Sequence, residues 1–449
     1  MNFDMRTADF WDPESTRKEL QRYFDVCHGC RVCDTYCPSF VHLFQFIDEN
    51  GGDAYGLTEA QTMQVIDECY QCKLCYVVCP YIPPHEWDID YPRMIMRAHI
   101  LDKKKNGLTM RDRMFGDTDL VGKLSSLAAP VVNWVNQNPK MRELMEKHFG
   151  IHRERILPEF HSVTFEKWAA SHRTPEPAPG AEKAAFFFTC LVNYNEPQIG
   201  KAAVGVMEKN GIDCQVPDQE CCGLPFLDSG MTDEAIQKAQ RNVERLAPYV
   251  KRGYKIVVPS ASCSYTIKLD YPHLVPTEDA KLVAANTLDL SEYLVELHKE
   301  GKLPAEFSEE GLQDAKKIRY HQPCHLKAQN IGFKGQELMQ IIPGTQVKRM
   351  QACSGHDGSW SVKQEYFKMS MEVGKPLFKF MKEPDCCTTT DCPLTAIQVE
   401  QATGKKPIHP IEVLARAYGV APLTPQKTSG IAEHGADKHA AAPPPPPPP

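Results

Sequence analysis

The chain has 449 residues, 42% of them hydrophobic, enough for about two to four domains with cores of their own. Acidic residues outnumber basic ones, 58 to 51, and the net charge of −7 argues against nucleic acid as a partner; no run of about 18 apolar residues marks a membrane span. Eighteen cysteines follow an N-terminus, "MNFDMRTADFWDPE", that lacks the basic and apolar regions of a secretory leader, so a cytoplasmic location is expected, with the thiols serving metal or redox chemistry rather than disulfides.

Residues 27–38 read "CHGCRVCDTYCP" and residues 69–80 read "CYQCKLCYVVCP", both C-x2-C-x2-C-x3-C-P. In this spacing three thiolates wrap one cuboidal iron–sulfur cluster, while the cysteine before proline reaches across to the neighbouring one. Cys27, Cys30, Cys33 and Cys79 are therefore assigned to one [4Fe–4S] cluster, and Cys69, Cys72, Cys75 and Cys37 to a second. Structural zinc also uses CxxC pairs, but it takes four thiolates from two such pairs and leaves two cysteines of each run without a role. Pro38 and Pro80 turn the chain away and have no N–H to leave unpaired. Between the runs, "LTEAQTMQVIDE" has helical spacing with Thr58 placed as an N-cap, which predicts a helical two-cluster ferredoxin domain over residues 1–110.

Residues 111–182 read as a helical connecting segment and a linker. Leu120, Val121, Leu124, Leu127, Ala128, Val131, Val132 and Val135 make a loosely amphipathic stretch with Trp134, flanked by Lys123 and Lys140. Such a stretch suits a membrane surface or a partner protein, or else a helix packed across its own domains. Pro130 argues against one continuous helix. "TPEPAPGAEK", 174–183, is Pro-rich and marks a domain boundary.

Beyond it the sequence repeats. A strand-like run "AAFFFTC" ends at Cys190 and a second, "KKIRYHQPC", at Cys324; "ECCG" at Cys221-Cys222-Gly223 returns 132 residues later as Cys353-Ser354-Gly355; at the same offset "SASC", Ser260 to Cys263, falls on "CPLT", Cys392 to Thr395. Adjacent thiols such as Cys221 and Cys222 make a poor disulfide with each other, which leaves metal ligation, two separate partners or accident. "TDEAIQKAQRNVERLAPYV" predicts a helix capped by Thr232, with Asp233 and Glu234 in its first turn and Ala235, Ala239 and Val243 on one face. "KIVVPS" predicts a buried strand running into Ser260. Alternating strands and helices imply parallel α/β layers with the cysteine loops at the carboxyl ends of the strands. Residues 183–310 and 311–420 are read as two copies of this unit. The tail, 421–449, ends in seven prolines and reads as disordered.

Through both ferredoxin runs, "TCLVNYNEPQIGK", "ECCGLP", "PSASC", "HQPCH" and "TTDCP", the chain resembles proteins with duplicated cysteine-rich CCG domains. That family includes heterodisulfide reductase B-type subunits, the glycolate oxidase iron–sulfur subunit and the C subunit of anaerobic glycerol-3-phosphate dehydrogenase. The resemblance implies a multidomain α and α/β protein: a helical two-cluster ferredoxin domain followed by two duplicated α/β CCG domains. It also implies a ligand set C…CC…CxxC in each unit, holding a [4Fe–4S] or a non-cubane cluster. The first unit keeps Cys190, Cys221, Cys222 and Cys263, with Ser260 in place of one cysteine, and so has four thiolates for a third cluster. The second keeps Cys324, Cys353 and Cys392, with Ser354 and Thr395 at the other two places. Its three thiolates leave open a weak fourth ligand, a hydroxyl or an imidazole with His321, His325 and His356 nearby in sequence, or a zinc ion, or no metal; the two histidines of "HQPCH" also read as strand-end residues bonded to backbone. Cys214, Cys386 and Cys387 fall outside the pattern; Cys386 and Cys387 lie in the predicted strand leading to the Cys392 loop and are assigned to packing.

The sequence carries no GxGxxG that opens a helix after a strand, no P-loop, no HExxH and no nucleophile elbow, hence no flavin or nucleotide site of its own. The reading is an electron-transfer subunit that relays electrons between a flavoprotein dehydrogenase, or another redox protein, and a quinone or other carrier. The resemblance adds glycerol 3-phosphate or a similar small hydroxy compound as ultimate donor, and peripheral contact with the cytoplasmic membrane and its quinone pool. Two other readings stand beside it: a thiol–disulfide (heterodisulfide) reductase using the CCG cluster, and an assembly module with degenerate CCG sites.

Overall fold

The computed structural model describes residues 3–308 and 317–420; the Pro-rich tail expected at 421–449 lies outside them. Asp12 opens the first long helix, Pro13–Cys30, by accepting hydrogen bonds from the N–H groups of Glu14 and Ser15. Helices Pro38–Glu49, Glu59–Asp67, Leu74–Val78 and Tyr91–Asn106 close with it around Leu20, Phe24, Phe40, Leu43, Ile47, Val65 and Tyr91. The cap expected at Thr58 is present: its hydroxyl accepts from the Gln61 N–H while the Gln61 side chain accepts from the Thr58 N–H. Helix Tyr91–Asn106 turns Met94 and Ile95 into this core and Met96 and Ile100 into the next, so a single rod joins the ferredoxin-like part to the α/β part.

The connecting segment holds helices Met110–Gly116, Thr118–Leu127, Ala129–Gln137, Pro139–Phe149 and Phe165–Ser171. As Pro130 required, the apolar stretch is broken, at Ala128. Its packing inverts the usual amphipathic pattern. Gly122 lies so close to Tyr194 that a Cβ would overlap the ring, and Ser126 and Ala129 are buried. The large side chains face outward, from 53% exposed at Leu120 to 75% at Leu127, with Leu124, Val131 and Trp134 between. Buried Arg155 pins the segment to the second unit by donating to the Ser361 carbonyl and the Ser370 hydroxyl, 3.0 Å each.

Two all-parallel sheets follow. Strands β1 (Lys183–Phe186), β2 (Asp213–Gln215), β3 (Lys255–Val258) and β4 (Thr287–Asp289) lie in the order β2-β1-β3-β4; β5 (Lys317–His321), β6 (Gln346–Met350) and β7 (Cys387–Thr390) lie in the order β6-β5-β7. The register pairs Ala185 with Ile256 and Tyr320 with Thr389. In place of a fourth strand the second unit has one parallel bridge, Thr389 to Ile408.

Three expectations change. The strands before Cys190 and Cys324 stop short, at Phe186 and His321, and each cysteine instead opens a short helix, because the chain must leave the ladder to turn back over the sheet. Thr232 does not cap its helix: Met231, drawn into the core after the left-handed turn at Gly230, takes that position, and Thr232 is the first helical residue. Ala235, Ala239 and Val243 do form the buried face. Strands β2, β4 and β6 are additions, short and without an apolar run to announce them.

The repeated units share one core. Phe186, Met207, Val257 and Leu294 of the first pack with Tyr320, Leu338 and Met339 of the second and with Ile411 and Leu414 of the last helix, Pro410–Ala417. Among the described residues no helix is long and apolar enough to cross a membrane.

Candidate iron–sulfur sites

None of the eighteen cysteines is paired in a disulfide. In the ferredoxin-like part, Cys27 and Cys30 lie three residues apart at the end of helix Pro13–Cys30, which Arg31 terminates at φ 54° with its N–H on the Cys27 carbonyl, 2.8 Å. Cys37 caps helix Pro38–Glu49, and Cys79 follows helix Leu74–Val78. Around Cys72 the backbone enters the left-handed region twice, at Gln71 (φ 51°) and Lys73 (φ 63°); such conformations cluster where a loop must wrap a ligand.

Tertiary structure crosses the two runs over. Burial, then the neighbouring Cys33, Cys79 and Cys30, push the Cys27 thiol up, so the last cysteine of the second run stands with the first three of the first. Cys37, from the first run, lines one cavity with Cys69, Cys72 and Cys75, together with Tyr36, Phe40, Tyr70 and Tyr91. Burial raises the Cys33 thiol to about 12 and the Cys69 thiol to about 11. Thiols held this way are protonated at neutral pH and give up the proton to a metal, so binding and deprotonation are coupled.

The α/β sites follow from strand order. In the first sheet the order reverses between β1 and β3, and at their carboxyl ends sit Cys190 and Cys263; β2 leads to Cys221 and Cys222. Cys221 Sγ is 3.9 Å from Cys190 Sγ, while the Cys222 thiol interacts with Cys221 and Cys263. Beyond each other, the adjacent cysteines thus meet different partners, Cys221 meeting Cys190 and Cys222 meeting Cys263. Hydrogen bonds from Cys190 and Cys222 hold the Cys221 thiol well below its ordinary value, and Thr118 Oγ1 donates to the same sulfur at 3.2 Å. The loop backbone is pinned by fully buried Asn242, which donates to the Cys221 carbonyl at 3.1 Å, and by Tyr271, whose hydroxyl donates to the Cys222 carbonyl at 3.0 Å. Cys221 N–H donates to Asp119 at 2.9 Å, and Lys238 pairs with Asp119 and Glu220. Helix Thr118–Leu127, with its exposed leucines outside, is thus the roof of this site.

In the second unit Cys324, Cys353 and Cys392, at the ends of β5, β6 and β7, line a cavity with His321, His325, His356, Ser354 and Thr395. Tyr70 and Cys72 of the ferredoxin-like part line the same cavity, and Cys353 Sγ is 3.3 Å from the Tyr70 hydroxyl. Cys72 thus borders both this cavity and the one it shares with Cys37. The two units meet here as well: Ser262, next to Cys263, donates to His325 Nδ1 at 2.8 Å.

Among the described residues no three Cys, His, Asp or Glu side chains converge on a single-ion position. Cys37, Cys69, Cys72 and Cys75 line one cavity and Cys324, Cys353 and Cys392 another, as ligands of a polyatomic cluster do, and these donor sets fit iron–sulfur centres. Cys214 and Cys387 pack in the core, and Cys386 donates to the Glu383 carbonyl. Sequence reasoning missed Thr118, Asp119, Asn242 and Tyr70, which come from elements far along the chain. It also missed a polar cavity beside Cys69 lined by Asp67, His99, Asp228, Asp357 and Lys363, in which burial raises Asp228 to about 7.

The comparisons with known proteins agree with this layout. The family model described as a cysteine-rich domain (CCG) matches residues 184–268 and again 318–395, and the citrate utilization protein B Fer4-like domain matches 20–105. The chain is 31% identical over 315 residues to the C subunit of anaerobic glycerol-3-phosphate dehydrogenase of Escherichia coli (strain K12), covering 69% of this chain and 77% of that protein. It is 30% identical over 193 residues to lactate utilization protein A of Bacillus pumilus, 40% of this chain and 75% of that one. To the B subunit of fumarate reductase (CoM/CoB) of Methanothermobacter marburgensis it is 28% identical over 243 residues, 53% of this chain and 45% of that protein.

Proposed function

The chain belongs to the CCG-domain iron–sulfur family that includes the C subunit of anaerobic glycerol-3-phosphate dehydrogenase, and from that premise we propose that it relays electrons between a flavoprotein dehydrogenase and a quinone or other carrier. It is an iron–sulfur protein of electron transfer. In this reading Cys27, Cys30, Cys33 and Cys79 hold one [4Fe–4S] cluster; Cys37, Cys69, Cys72 and Cys75 hold a second; Cys190, Cys221, Cys222 and Cys263 hold a third. Bound clusters supply one-electron redox chemistry. The protein supplies thiolates, spacing and exclusion of water.

One observation carries the reading: the thiol sites adjoin one another and end beneath an apolar surface. Cys72 and Tyr70 join the ferredoxin-like part to the second unit, the Ser262–His325 bond joins the second unit to the first, and the first site lies under Thr118 and Asp119. The outer face of that roof is Leu120, Leu124, Leu127, Val131 and Trp134, with Lys123 and Lys140 beside them. We assign this face to peripheral contact with the cytoplasmic membrane, where a quinone is at hand. The electron donor is a flavoprotein acting on glycerol 3-phosphate or a similar small hydroxy compound, the type of substrate named in two of the relatives.

The test is kinetic. The chain, purified without oxygen and chemically reduced, is mixed with a water-soluble quinone while cluster absorbance is followed. Wild type is expected to reoxidise rapidly; Cys222→Ala is expected to lose about four irons and one EPR signal and to reoxidise several-fold more slowly. Equal rates in both proteins overturn the assignment of the first unit as the outlet, and no reoxidation of wild type overturns the quinone as carrier.

A further inference from the structure

The second CCG site is one thiolate short, and three histidines line its cavity. Two are already engaged at both ring nitrogens. His321 contacts the Ala352 carbonyl through Nε2, 2.9 Å, and the Thr390 hydroxyl through Nδ1, 3.1 Å. His325 contacts the Gln71 carbonyl through Nε2, 2.9 Å, and the Ser262 hydroxyl through Nδ1, 2.8 Å, and its ring stacks on Tyr265. A carbonyl accepts only, so each Nε2 carries the proton and each Nδ1 spends its lone pair on a hydroxyl. Neither ring has a lone pair left for a metal.

The hydroxyls that replace the missing cysteines are engaged as well. Thr395 Oγ1 donates to Ser354 Oγ at 3.3 Å, and the His356 N–H donates to the same oxygen at 3.3 Å. These bonds draw the residue-354 loop against helix Pro393–Thr403 and bring the next side chain along the loop to the cavity wall.

That side chain is His356. Its Nδ1 is buried from solvent and has no hydrogen-bond partner, the only imidazole nitrogen among the described residues in that condition. An unpaired buried nitrogen is costly unless something is bound to it. We propose that Cys324, Cys353, Cys392 and His356 together hold a fourth iron–sulfur cluster, with the imidazole as the fourth ligand. Three thiols and an imidazole lining one cavity suit a cluster, whose ligands surround it, and the metal count below separates it from zinc. Imidazole in place of thiolate raises the potential of an iron–sulfur centre. Bordered by Cys72, this centre is a more oxidising neighbour for the Cys37/Cys69/Cys72/Cys75 site. The inference rests on the iron–sulfur reading of the chain and not on the identity of its donor or acceptor.

The experiment uses the full chain, purified and reconstituted without oxygen. Iron, sulfide and zinc are counted, and pulsed EPR of the reduced protein is examined for nitrogen coupling. The expected wild-type result is about four irons more than in Cys324→Ala, and a strongly coupled histidine nitrogen. His356→Ala is expected to lose that coupling together with most of the same iron. His356→Cys is expected to keep the iron, lose the coupling and lower the potential of one centre, a combination that a structural role for His356 does not produce. Zinc at the site, nitrogen coupling that survives His356→Ala, or unchanged iron in Cys324→Ala overturns the proposal. Reoxidation of wild type by quinone and the iron lost in Cys222→Ala are read independently of these counts and of the nitrogen coupling, so failure here is distinct from failure of the relay.

Discussion

At the scale of the residue, the motif glycines are explained by shape. Gly223 follows Cys222 at φ 90°, and a Cβ there would stand 3.1 Å from the Ala235 carbonyl oxygen. Gly355 follows Ser354 at φ 70°, and a Cβ there would overlap the backbone of Ser370, while the Gly355 N–H donates to Cys353 Sγ at 3.3 Å. Both need the left-handed conformation that costs other residues about 1–2 kcal/mol, and Gly355 adds a clash with backbone that cannot swing aside. Gly355→Ala is therefore expected to destabilise more than Gly223→Ala, by several kcal/mol against about 1–2; anaerobic thermal unfolding of the two variants checks the order. The same scale shows where reading by residue type stops. His321, His325 and His356 look alike in the sequence, and what distinguishes them is the presence of Ala352, Thr390, Gln71 and Ser262 beside the first two.

At the scale of the element, the pair of helices from Thr118 to Gln137 is held by its small residues and presents its large ones. Gly122 allows close approach to Tyr194, and Ser126 and Ala129 are buried with it, which leaves five large apolar side chains in water. Each gains about 1.5–3 kcal/mol on full burial, more than enough together to hold the protein on a lipid surface when two lysines add charge attraction. Wild type is expected to sediment with anionic phospholipid vesicles, and a Leu124→Glu, Trp134→Ser double variant to stay in the supernatant with its iron content unchanged. Sedimentation of both to the same extent removes the membrane from the assignment. The break at Ala128 was legible from Pro130; the inverted orientation was not, because periodicity locates an apolar stripe without saying which side a neighbour covers.

At the scale of the molecule, the duplicated units behave as one body. Leu414 of the last helix packs on the first unit, although it follows the second in sequence. Leu414→Ala is expected to cost about 2–5 kcal/mol, as fully buried leucines do, and to loosen both units together. Limited proteolysis under anaerobic conditions checks this: simultaneous cleavage after Lys183 and around Lys317 is the expected pattern, whereas protection of the first unit would mean that the cores are separable. The long-range hydrogen bonds of Arg155 and His325 act in the same sense, tying the connecting segment and the ferredoxin-like part to the α/β pair.

By itself the sequence determined the grouping of the cysteines into two runs and two repeats, the helical and α/β character of the parts and the iron–sulfur kind of cofactor. Those properties depend on spacing along the chain and on local periodicity, which a sequence records directly. Tertiary structure alone decided that the second unit's cavity shares a wall with Cys72, and that two of three histidines are already hydrogen bonded. It also decided that the apolar stretch covers the first site with its leucines outward. Each of these depends on which distant segments meet, and that is settled by the burial of shared apolar faces and by carbonyl partners contributed from elsewhere in the chain.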